Sequence, residues 1–385
     1  MSHTITTRVA ALLSSPGRYE IIEAELEAPR TGEIRVKIVA SGICHSDDHF
    51  ATGDQAPGIL PIVGGHEGAG IVESVGPGTP GFAEGDHVVF SFLPVCGRCD
   101  ACARGQQNLC DLGAFLSTGS RFDDPGSFRL SWNGKPVGQL AGLGTFAEYV
   151  TVSVASAIKI DPTIPLDVAC LTGCGVGTGW GSAVNAAGVR PGQTTIVMGI
   201  GGIGINAVQG AAHAGAEYVI AVDPVAAKRD WALKLGATNA VASIEEATEL
   251  ARSFTNGQGA DSSIVTVGVT TGRQIGAALA AVRKGGTCVV VGLGEAFVKD
   301  GDINLHELTL YQKRLQGALF GCSSPTADIP AQLRMYQNGT LKLDELITTR
   351  YTLDDVNQGF DDMKAGLNLR GVIIHDSAAP PLASA

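Results

Sequence analysis

A glycine-rich turn between two short apolar runs marks the middle of the chain. Thr194–Met198 is a β-branched run that leads into Gly-Ile-Gly-Gly-Ile-Gly at positions 199–204, and a small-residue segment then precedes a second apolar run, Tyr218–Val222. This order predicts a strand, a tight turn, a helix and a second strand. In such a unit the glycines make the bend, admit a pyrophosphate close to the backbone, and pack the helix on the strand. The stretch therefore predicts a dinucleotide site at a helix N-terminus.

Asp223 closes the second apolar run, 19 residues after Gly204. A carboxylate at this place accepts hydrogen bonds from the ribose hydroxyls and repels a 2′-phosphate, which favours NAD over NADP. Lys228 and Arg229 follow closely and soften that repulsion. The alternative interpretation of Asp223 is a solvated turn residue. The predicted cofactor contacts of this unit are Gly199, Gly201, Gly202, Gly204, Asp223 and Lys228.

The composition argues against several other classes of protein. At 385 residues the chain is too long for one ordinary domain, and with 44% hydrophobic residues it can bury substantial cores. Its net charge of −11 argues against nucleic acid or an anionic membrane as a partner. No run of about 18 uncharged apolar residues is present, and the start of the chain has no convincing signal peptide. We therefore expect a cytoplasmic protein without a membrane segment.

The distribution of apolar runs predicts an α/β protein with one domain inserted in another. Short β-type runs separated by Gly and Pro are typical of a β-rich, partly closed domain before the cysteine-rich segment. Strands and helices then alternate, which predicts a doubly wound parallel sheet, until the pattern breaks near residue 321. The expected segments are 1–176 for the first part of the catalytic domain, 177–320 for the dinucleotide-binding domain, and 321–385 for the return segment and C-terminal tail.

Two local expectations complete the predicted fold. The polar, glycine-rich stretch from Phe115 to Leu143 is predicted to form surface loops, with a hairpin around Asn133-Gly134. The last strand of the parallel sheet is predicted at Leu315–Phe320, because this apolar run ends the alternation of strands and helices.

Four cysteines are grouped in one short segment with the spacing C-x2-C-x2-C-x7-C. They are Cys96, Cys99, Cys102 and Cys110. Four thiolates form a closed tetrahedral zinc site, whose role is to stabilise the loop that carries it. A redox dithiol and a nucleic-acid zinc module are the alternatives. The two additional cysteines argue against the first, and the acidic chain without a basic stripe argues against the second.

The chain resembles the zinc-containing medium-chain alcohol dehydrogenases from about Arg8 to His375. In that family the catalytic zinc is bound by a cysteine before a Ser-Asp segment, the His of Gly-His-Glu and the Cys of Gly-Cys-Gly, which here are Cys44, His66 and Cys174. The resemblance implies that the four-cysteine lobe, at about 94–113, holds a structural zinc, so that the chain binds two Zn²⁺ ions. It also implies a GroES-like catalytic domain and a Rossmann dinucleotide-binding domain.

The implied chemistry is hydride transfer between a primary alcohol or aldehyde and NAD(H). Two thiolates, an imidazole and an open fourth position let zinc act as a Lewis acid that lowers the pKa of an alcohol. The resemblance implies a proton relay from Ser46 through the ribose to His49, with Glu67 behind the metal. A satisfied structural or surface group is the alternative for His49. The resemblance further implies that Thr178 and Ile203 lie beside the nicotinamide and that Arg370 contacts the pyrophosphate. It also implies cofactor contacts at Val291 and at His45, which stands where many relatives have Arg.

Three segments resemble the NDMA-dependent branch of this family, whose members are described as nicotinoproteins. They are Gln106–Gly113, Cys174–Asn185 and Leu343–Thr348. The resemblance implies a nicotinamide that stays bound through turnover and is recycled by an external electron acceptor. The resemblance to the wider family implies a homo-oligomer, a dimer or a tetramer, and we expect its contacts near Val289–Gly294 at the edge of the parallel sheet.

Two alternative functions remain open from the sequence. The first is a thiol-dependent formaldehyde dehydrogenase of the same fold, which would need a basic patch at the mouth of its cleft. The second is a non-catalytic, dinucleotide-binding structural or sensor protein. The presence of Ser46 together with Cys44, His66 and Cys174 argues against the second, because a binding role does not need an open metal site.

Overall fold

The computed structural model describes residues 3–294, 299 and 301–375. The chain divides into two compact units. The first, which we call the β-rich unit, comprises Met1–Cys174, Pro325–Leu333 and Leu343–Ala385, and the second, the doubly wound unit, comprises Gly175–Ser324 and Arg334–Lys342. The doubly wound unit is therefore an insertion in the β-rich unit. The domain limits given by the sequence stay predictions, and the end of the tail lies outside the described residues.

The strands of the described residues are short and fall into three sheets. In chain order they are β1 (Ile5–Leu12), β2 (Tyr19–Leu26), β3 (Glu33–Gly42), β4 (Ile62–Val63), β5 (Glu67–Val75), β6 (His87–Phe90), β7 (Leu130–Trp132), β8 (Lys135–Gln139), β9 (Tyr149–Ser153), β10 (Ala157–Lys159), β11 (Thr194–Met198), β12 (Tyr218–Val222), β13 (Asn239–Val241), β14 (Ala260–Val265), β15 (Val282–Val290), β16 (Arg314–Gly317), β17 (Ile347–Tyr351) and β18 (Arg370–Ile374).

The helices are concentrated in the doubly wound unit. The α-helices are α1 (His45–Thr52), α2 (Asp100–Ala103), α3 (Leu166–Ala169), α4 (Gly175–Gly181), α5 (Gly204–His213), α6 (Ala226–Lys234), α7 (Ile244–Phe254), α8 (Gly272–Ala281), α9 (Leu305–Leu310), α10 (Pro325–Gln337) and α11 (Val356–Lys364). Single 3₁₀ turns lie at Gln107–Leu109, Asp111–Phe115, Leu140–Gly142, Val154–Ser156, Cys170–Gly173, Leu319–Cys322, Asp344–Leu346 and Leu353–Asp355, and Ser182–Ala186 is π-helical.

Two sheets build the β-rich unit. One is a closed barrel with the order β1-β2-β7-β8-β4, and the other has the order β10-β6-β5-β3-β18-β17, with β9 also paired to β3. Strand β2 shows why the barrel closes on an apolar interior, because buried Ile22, Ala24 and Leu26 alternate with exposed residues. The predicted hairpin is confirmed: Asn133 and Gly134, both with positive φ, join β7 to β8.

The stretch from Phe115 to Leu143 is more buried than the sequence predicts. Arg121 and Arg129 are each 1% exposed, and both donate from Nε to Glu33 Oε1, at 3.0 and 2.7 Å. The prediction of surface loops is therefore wrong for this part. It assumed that charged side chains face water, whereas here a shared carboxylate makes their burial possible.

The doubly wound unit contains one parallel sheet with the order β13-β12-β11-β14-β15-β16. All its described pairings are parallel. The chain order reverses between β11 and β14, so the carboxyl ends of these two strands flank the place where ligands bind in such sheets. Apolar clusters pack against the sheet, one centred on Ile196 and Ile220 and the other on Val265 and Leu279.

Strand β16 is shorter than predicted and forms the edge of the sheet. It ends at Gly317, and Phe320, Gly321 and Cys322 then take positive φ values of 52°, 61° and 56°. Three successive left-handed residues cannot continue a strand. The edge predicted at Val289–Gly294 is also misplaced, because β15, which contains the fully buried Val289, is covered by β16.

None of the helices in the described ranges has both the length and the apolar character needed to cross a membrane.

Candidate active site and metal centres

Cys96, Cys99, Cys102 and Cys110 form one compact cluster in the β-rich unit, which we call the four-cysteine cluster. Their sulfur atoms all lie within 4.8 Å of one another, and all four are free thiols. Tetrahedral zinc, with Zn–S bonds of about 2.3 Å, holds its sulfur ligands about 3.8 Å apart. The spacing of the cluster therefore suits a closed zinc site.

Backbone N–H groups support negative charge on this cluster. The amide of Cys99 donates to Cys96 Sγ at 3.3 Å, and the amide of Cys102 donates to Cys99 Sγ at 3.5 Å. Hydrogen bonds from the backbone of Arg98 and Cys99 lower the pKa of Cys96 to about 6. Burial raises the pKa of Cys102 to about 12. A bound cation would favour ionisation of all four thiols, as a structural zinc site requires.

Cys44, His66, Glu67 and Cys174 form a second cluster, which we call the buried cluster. Each of these residues is 6% exposed or less, and their ligand atoms all lie within 4.8 Å of one another. The fold thus brings together the three residues that the resemblance assigns to the catalytic zinc, and adds the carboxylate of Glu67.

Strand ends and tight turns hold these ligands in place. Cys44 lies between β3 and α1 in extended backbone, with φ −130° and ψ 149°. His66 immediately precedes β5 and follows Gly65, which has φ +88° and where a Cβ atom would lie 2.6 Å from the backbone nitrogen of Phe146. Cys174 follows a 3₁₀ turn, with φ −146°. Each ligand therefore stands at the end of a regular element, where the backbone is fixed by its neighbours.

Asp47 sets the orientation of the His66 imidazole. Its Oδ1 lies 3.1 Å from His66 Nδ1 and accepts the backbone N–H of Gly65 at 2.8 Å. Because a carboxylate only accepts, Nδ1 carries the proton and Nε2 presents a lone pair. Nε2 is buried and has no hydrogen-bond partner within the described ranges. A buried lone pair beside two thiols fits a zinc ion held by Cys44, His66 and Cys174.

The two thiols of the buried cluster share their protons unequally. A hydrogen bond from the Cys174 thiol, opposed by burial and aided by His66, lowers the pKa of Cys44 well below its usual value. The same hydrogen bond, together with burial, raises the pKa of Cys174. Although burial acts in the opposite direction, Asp47 raises the pKa of His66. A cation at this place would favour two thiolates and a neutral imidazole, which is the ligand form that zinc binds.

Glu67 is held by an arginine from a distant part of the chain. Strand β3 lies between β5 and β18, with Gly42 opposite Glu67 on one side and opposite Val372 on the other. Arg370 Nη2 donates to Glu67 Oε2 across Gly42, where a Cβ atom would lie 3.0 Å from the guanidinium. Burial raises the pKa of Glu67 to about 7, against the attraction of Arg370. The pair therefore places a buried carboxyl group beside the candidate metal ligands. Arg370 compensates the charge of this group when it is ionised.

The residues predicted for the proton relay lie on α1. Ser46 is half-buried, with Oγ 3.8 Å from Cys44 Sγ. His49 is 7% exposed and its Nδ1 lies 3.1 Å from Asp54 Oδ2, so it is not a freely solvated surface histidine. His45 is exposed at the start of the helix. The roles of these residues stay predictions.

The glycine turn in the doubly wound unit gives each glycine a different environment. Gly199 has φ +93°, so it makes the turn after β11. A Cβ atom on Gly204 would lie 2.7 Å from Thr266 Oγ1 and even closer to the carbonyl oxygen of Gly199, so Gly204 is required for packing. Gly201 has neither a positive φ nor any atom within 4 Å of an added Cβ. The local fold therefore does not require glycine at position 201.

Asp223 follows β12 and fixes the glycine turn through backbone contacts. Its Oδ2 accepts the N–H of Ile200 at 2.8 Å, its Oδ1 accepts the N–H of Val225 at 2.9 Å, and it is 5% exposed. A solvated turn residue is therefore the wrong description. Arg229 donates to the carbonyl oxygens of Asp223 and Pro224, at 2.7 and 2.9 Å.

The other predicted cofactor residues occupy several elements. Thr178 is buried in α4, Ile203 is the N-cap of α5, Lys228 is half-buried in α6, and Val291 follows β15. Arg370 is buried with Glu67, and its predicted contact with a pyrophosphate remains a prediction.

Sequence reasoning assigned no role to Asp47, and it did not pair Arg370 with Glu67. For Asp47 a signal was present: a metal-binding histidine commonly donates its other N–H to a carboxylate, and Asp47 is three residues after the first ligand. No local signal marks the second pair, because its members are 303 positions apart.

Comparisons with known proteins show the family to which the chain belongs. The profile of the alcohol dehydrogenase GroES-like domain matches residues 30–162, and that of the zinc-binding dehydrogenase family matches residues 202–338. The NDMA-dependent alcohol dehydrogenase of Amycolatopsis methanolica is 51% identical over 369 residues, which cover 96% of this chain and 99% of the relative.

Two solved structures extend the similarity to the whole fold. The alcohol dehydrogenase zinc-binding domain protein from Burkholderia ambifaria has a TM-score of 0.90 and 32% identity, over 97% of this chain and 100% of the other. The benzyl alcohol dehydrogenase from Acinetobacter calcoaceticus has a TM-score of 0.88 and 28% identity, with the same coverage. The fold class predicted from the sequence is confirmed, and the chain belongs to the zinc-containing medium-chain alcohol dehydrogenases.

Proposed function

We propose that this chain catalyses the reversible, zinc- and NAD-dependent oxidation of primary alcohols to aldehydes. The observation that carries the proposal is the buried cluster, in which two thiols and the free Nε2 of His66 converge. Zn²⁺ bound there would supply the Lewis acidity that lowers the pKa of an alcohol hydroxyl. The exchange of a hydride with a nicotinamide then completes the reaction.

The chain's own residues hold the reacting groups and carry the proton. Asp47 keeps the lone pair of His66 Nε2 directed into the buried cluster, and the Arg370–Glu67 pair limits the negative charge behind it. Ser46 would accept the alcohol proton and His49 would release it to solvent, with a ribose hydroxyl of bound cofactor as the expected link between them. The low exposure of the cluster excludes water from the place where the hydride moves.

The doubly wound unit binds NAD(H) at the carboxyl edge of its sheet. Because the fold leaves open space at Gly201, the absence of a side chain there suits a bound pyrophosphate. Asp223 would favour NAD over NADP, Thr178 and Ile203 would flank the nicotinamide, and Val291 would be a further residue of the cofactor site. Similarity to an NDMA-dependent relative supports a nicotinamide that stays bound and is recycled by an external electron acceptor.

The exposed edge of the parallel sheet supports assembly with a second copy of the chain. All four residues of β16 are exposed, and the strand pairs only with β15 among the described strands. Leu310, Leu315 and Leu319 in and beside this strand are 65%, 39% and 45% exposed. An open edge with exposed apolar side chains favours pairing with another strand. The proposed homo-oligomer therefore forms through β16.

The test of the proposed function is a zinc and nucleotide count on protein purified without added cofactor and dialysed extensively. About two zinc ions per chain are expected from the two ligand sets. Retained nicotinamide would support recycling by an external acceptor, and its loss would indicate NAD as a dissociable co-substrate. One zinc ion or none would overturn the proposal.

The matched variants are Cys44→Ser and Cys322→Ser. Cys44→Ser should remove the catalytic zinc and turnover of benzyl alcohol while the protein stays folded. Cys322, a half-buried thiol outside both clusters, is the control, and its variant should keep both zinc ions and turnover. Unchanged activity of Cys44→Ser would contradict the assigned zinc site.

A further inference from the structure

The last turn of α1 brings a carboxylate back onto His49. Gly53 takes a left-handed conformation, with φ +88°, and reverses the chain so that Asp54 lies beside the helix end. Asp54 Oδ2 is 3.1 Å from His49 Nδ1, and the backbone N–H of Gln55 donates to the carbonyl oxygen of His49 at 3.0 Å. This carboxylate has no role in the reaction described so far.

The position of Asp54 is fixed by a second hydrogen bond. Thr52 Oγ1 donates to Asp54 Oδ2 at 2.8 Å, so one carboxylate oxygen accepts from both Thr52 and His49. The Thr52 hydroxyl and then His49 lower the pKa of Asp54, which is therefore ionised at neutral pH. An ionised carboxylate held from two sides is a directed acceptor for the imidazole N–H.

The contact determines which nitrogen of His49 can take up a proton. Because Asp54 accepts at Nδ1, the neutral imidazole carries its hydrogen there, and Nε2 is the free base. The same arrangement occurs at His66, where Asp47 holds Nδ1 and leaves Nε2 with its lone pair. Two histidines of the same unit are thus oriented by nearby carboxylates. Asp47 leaves Nε2 of His66 available to a cation, and Asp54 leaves Nε2 of His49 available to a proton.

Other charged groups around this helix are engaged elsewhere. Asp47 contacts His66, and Asp48 accepts from Lys364 of α11 at 3.4 Å. His45 lies one turn earlier on the same helix and is exposed. Among the described residues, Asp54 supplies the carboxylate that lies within 4 Å of the His49 imidazole.

We infer that Asp54 is a positioning residue for the proton relay, which fixes the Nδ1–H form of His49 and leaves Nε2 as the atom that accepts the proton. This inference rests on the proposed function. The proton lost by the alcohol hydroxyl would be accepted by Ser46 and, with bound cofactor completing the relay, would bond to Nε2 of His49. The resulting imidazolium releases a proton to solvent, and Asp54 stays ionised throughout.

The experiment measures hydride transfer in a single turnover with benzyl alcohol and bound NAD. Asp54→Asn replaces the ionised acceptor by an amide, which can present an N–H as well as an oxygen to Nδ1, so the Nδ1–H form of His49 is no longer enforced. The rate at neutral pH should fall about three- to tenfold, because Nε2 is then the base in only part of the molecules. Asp54→Glu should restore most of the rate.

Control variants separate this role from a structural one. Asp361→Asn removes another exposed, ion-paired carboxylate of the same unit and should leave the rate unchanged. In a His49→Gln background, Asp54→Asn should cause no further loss of rate. An equal loss in both backgrounds would overturn the inference, because Asp54 would then act without His49.

The remaining outcomes distinguish this inference from the proposed function. If His49→Gln slows hydride transfer while Asp54→Asn keeps the normal rate, the relay stands and the role of Asp54 is wrong. If His49→Gln does not change the rate of hydride transfer, both the relay and the role of Asp54 are wrong. If the unmodified protein, with its zinc and nucleotide bound, transfers no hydride from primary alcohols, the proposed function itself fails before any variant is compared.

Discussion

Arg370 donates a hydrogen bond to Glu67 across the backbone of Gly42, although the two charged residues are 303 positions apart in the sequence. The pair joins β18 to β5 over the intervening strand β3. It therefore ties the return segment of the chain to the strand that directly follows the histidine ligand. A buried pair of this kind costs much more when one partner is removed than when both are replaced.

The first prediction concerns Arg370→Leu, which leaves the carboxyl of Glu67 buried without its partner. The free energy of unfolding in urea should fall by about 3–5 kcal/mol. Arg18→Leu is the control, because Arg18 pairs with Asp361 at the surface, where the arginine side chain is 64% exposed. That variant should lose about 1 kcal/mol or less. Equal losses in the two variants would contradict the importance of the buried pair.

The second prediction concerns the pH dependence of stability at Glu33. Burial raises the pKa of Glu33, but Arg129, the backbone N–H of Arg30 and Arg121 together hold it below the usual value of 4.5. A carboxyl group whose pKa is lowered by folding stabilises the protein above its unfolded pKa, and this contribution is lost as the pH falls through the folded pKa.

Glu33→Gln should therefore reduce the free energy of unfolding by about 3–5 kcal/mol at neutral pH, because two buried guanidinium groups lose their shared negative counter-charge. The difference from the unmodified protein should shrink below pH 4.5, which urea unfolding at several pH values would measure. Glu25→Gln, at an exposed position of β2, should change stability by about 0.5 kcal/mol at most. A loss at Glu33 that is independent of pH would contradict the assignment.

The third prediction concerns the four-cysteine cluster. Cys110→Ser should reduce the zinc content from about two ions per chain to about one, since a closed site needs all four ligands. A loss of about 2 kcal/mol would lower the thermal midpoint by roughly 4–8 °C. Metal analysis and calorimetry measure the two effects. Retention of both zinc ions would show that Cys110 is not a ligand.

The fourth prediction separates the glycines of the nucleotide turn. Gly201→Ala meets no atom of the chain and should leave the thermal midpoint unchanged, but it should weaken NAD binding about tenfold or more, equivalent to about 1.4 kcal/mol. Gly204→Ala meets the carbonyl oxygen of Gly199 and should lower the thermal midpoint. Titration of nucleotide-free protein followed by fluorescence provides the measurement. Normal NAD affinity in Gly201→Ala would place the pyrophosphate elsewhere.

The fifth prediction concerns assembly through β16. Leu315→Lys puts a charge on the exposed edge strand and should convert a dimer or tetramer into smaller species, as measured by light scattering. Leu367→Lys introduces the same charge at a residue of the β-rich unit that is 69% exposed, and should not change the mass. An unmodified protein that is monomeric at all concentrations would exclude the proposed interface.

Features determined by neighbouring residues could be predicted from the sequence. The strands on both sides of the glycine turn have the predicted limits, Thr194–Met198 and Tyr218–Val222, because a β-branched run between turn residues carries its own signal. The four-cysteine cluster is likewise compact, since its ligands lie within one short segment.

Features determined by contacts between distant residues could not be predicted in the same way. Glu33 and Arg121 are 88 positions apart, and nothing in either local sequence marks them as partners. The buried cluster was expected only through the resemblance to a family, because the spacing of Cys44, His66 and Cys174 does not itself bring them together. By contrast, Asp54 is only five residues from His49, so this contact could have been predicted from the local sequence.

The burial of Arg121 and Arg129 has a consequence for the exchange of segments between relatives. The stretch from Phe115 to Leu143 looks interchangeable, since it is polar and rich in glycine, yet it carries two charges that need the carboxylate of Glu33 on a separate strand. A chimaera that imports a segment without these arginines leaves a buried carboxylate without counter-charges. Grafting of this segment to alter the choice of alcohol therefore has to be designed together with position 33.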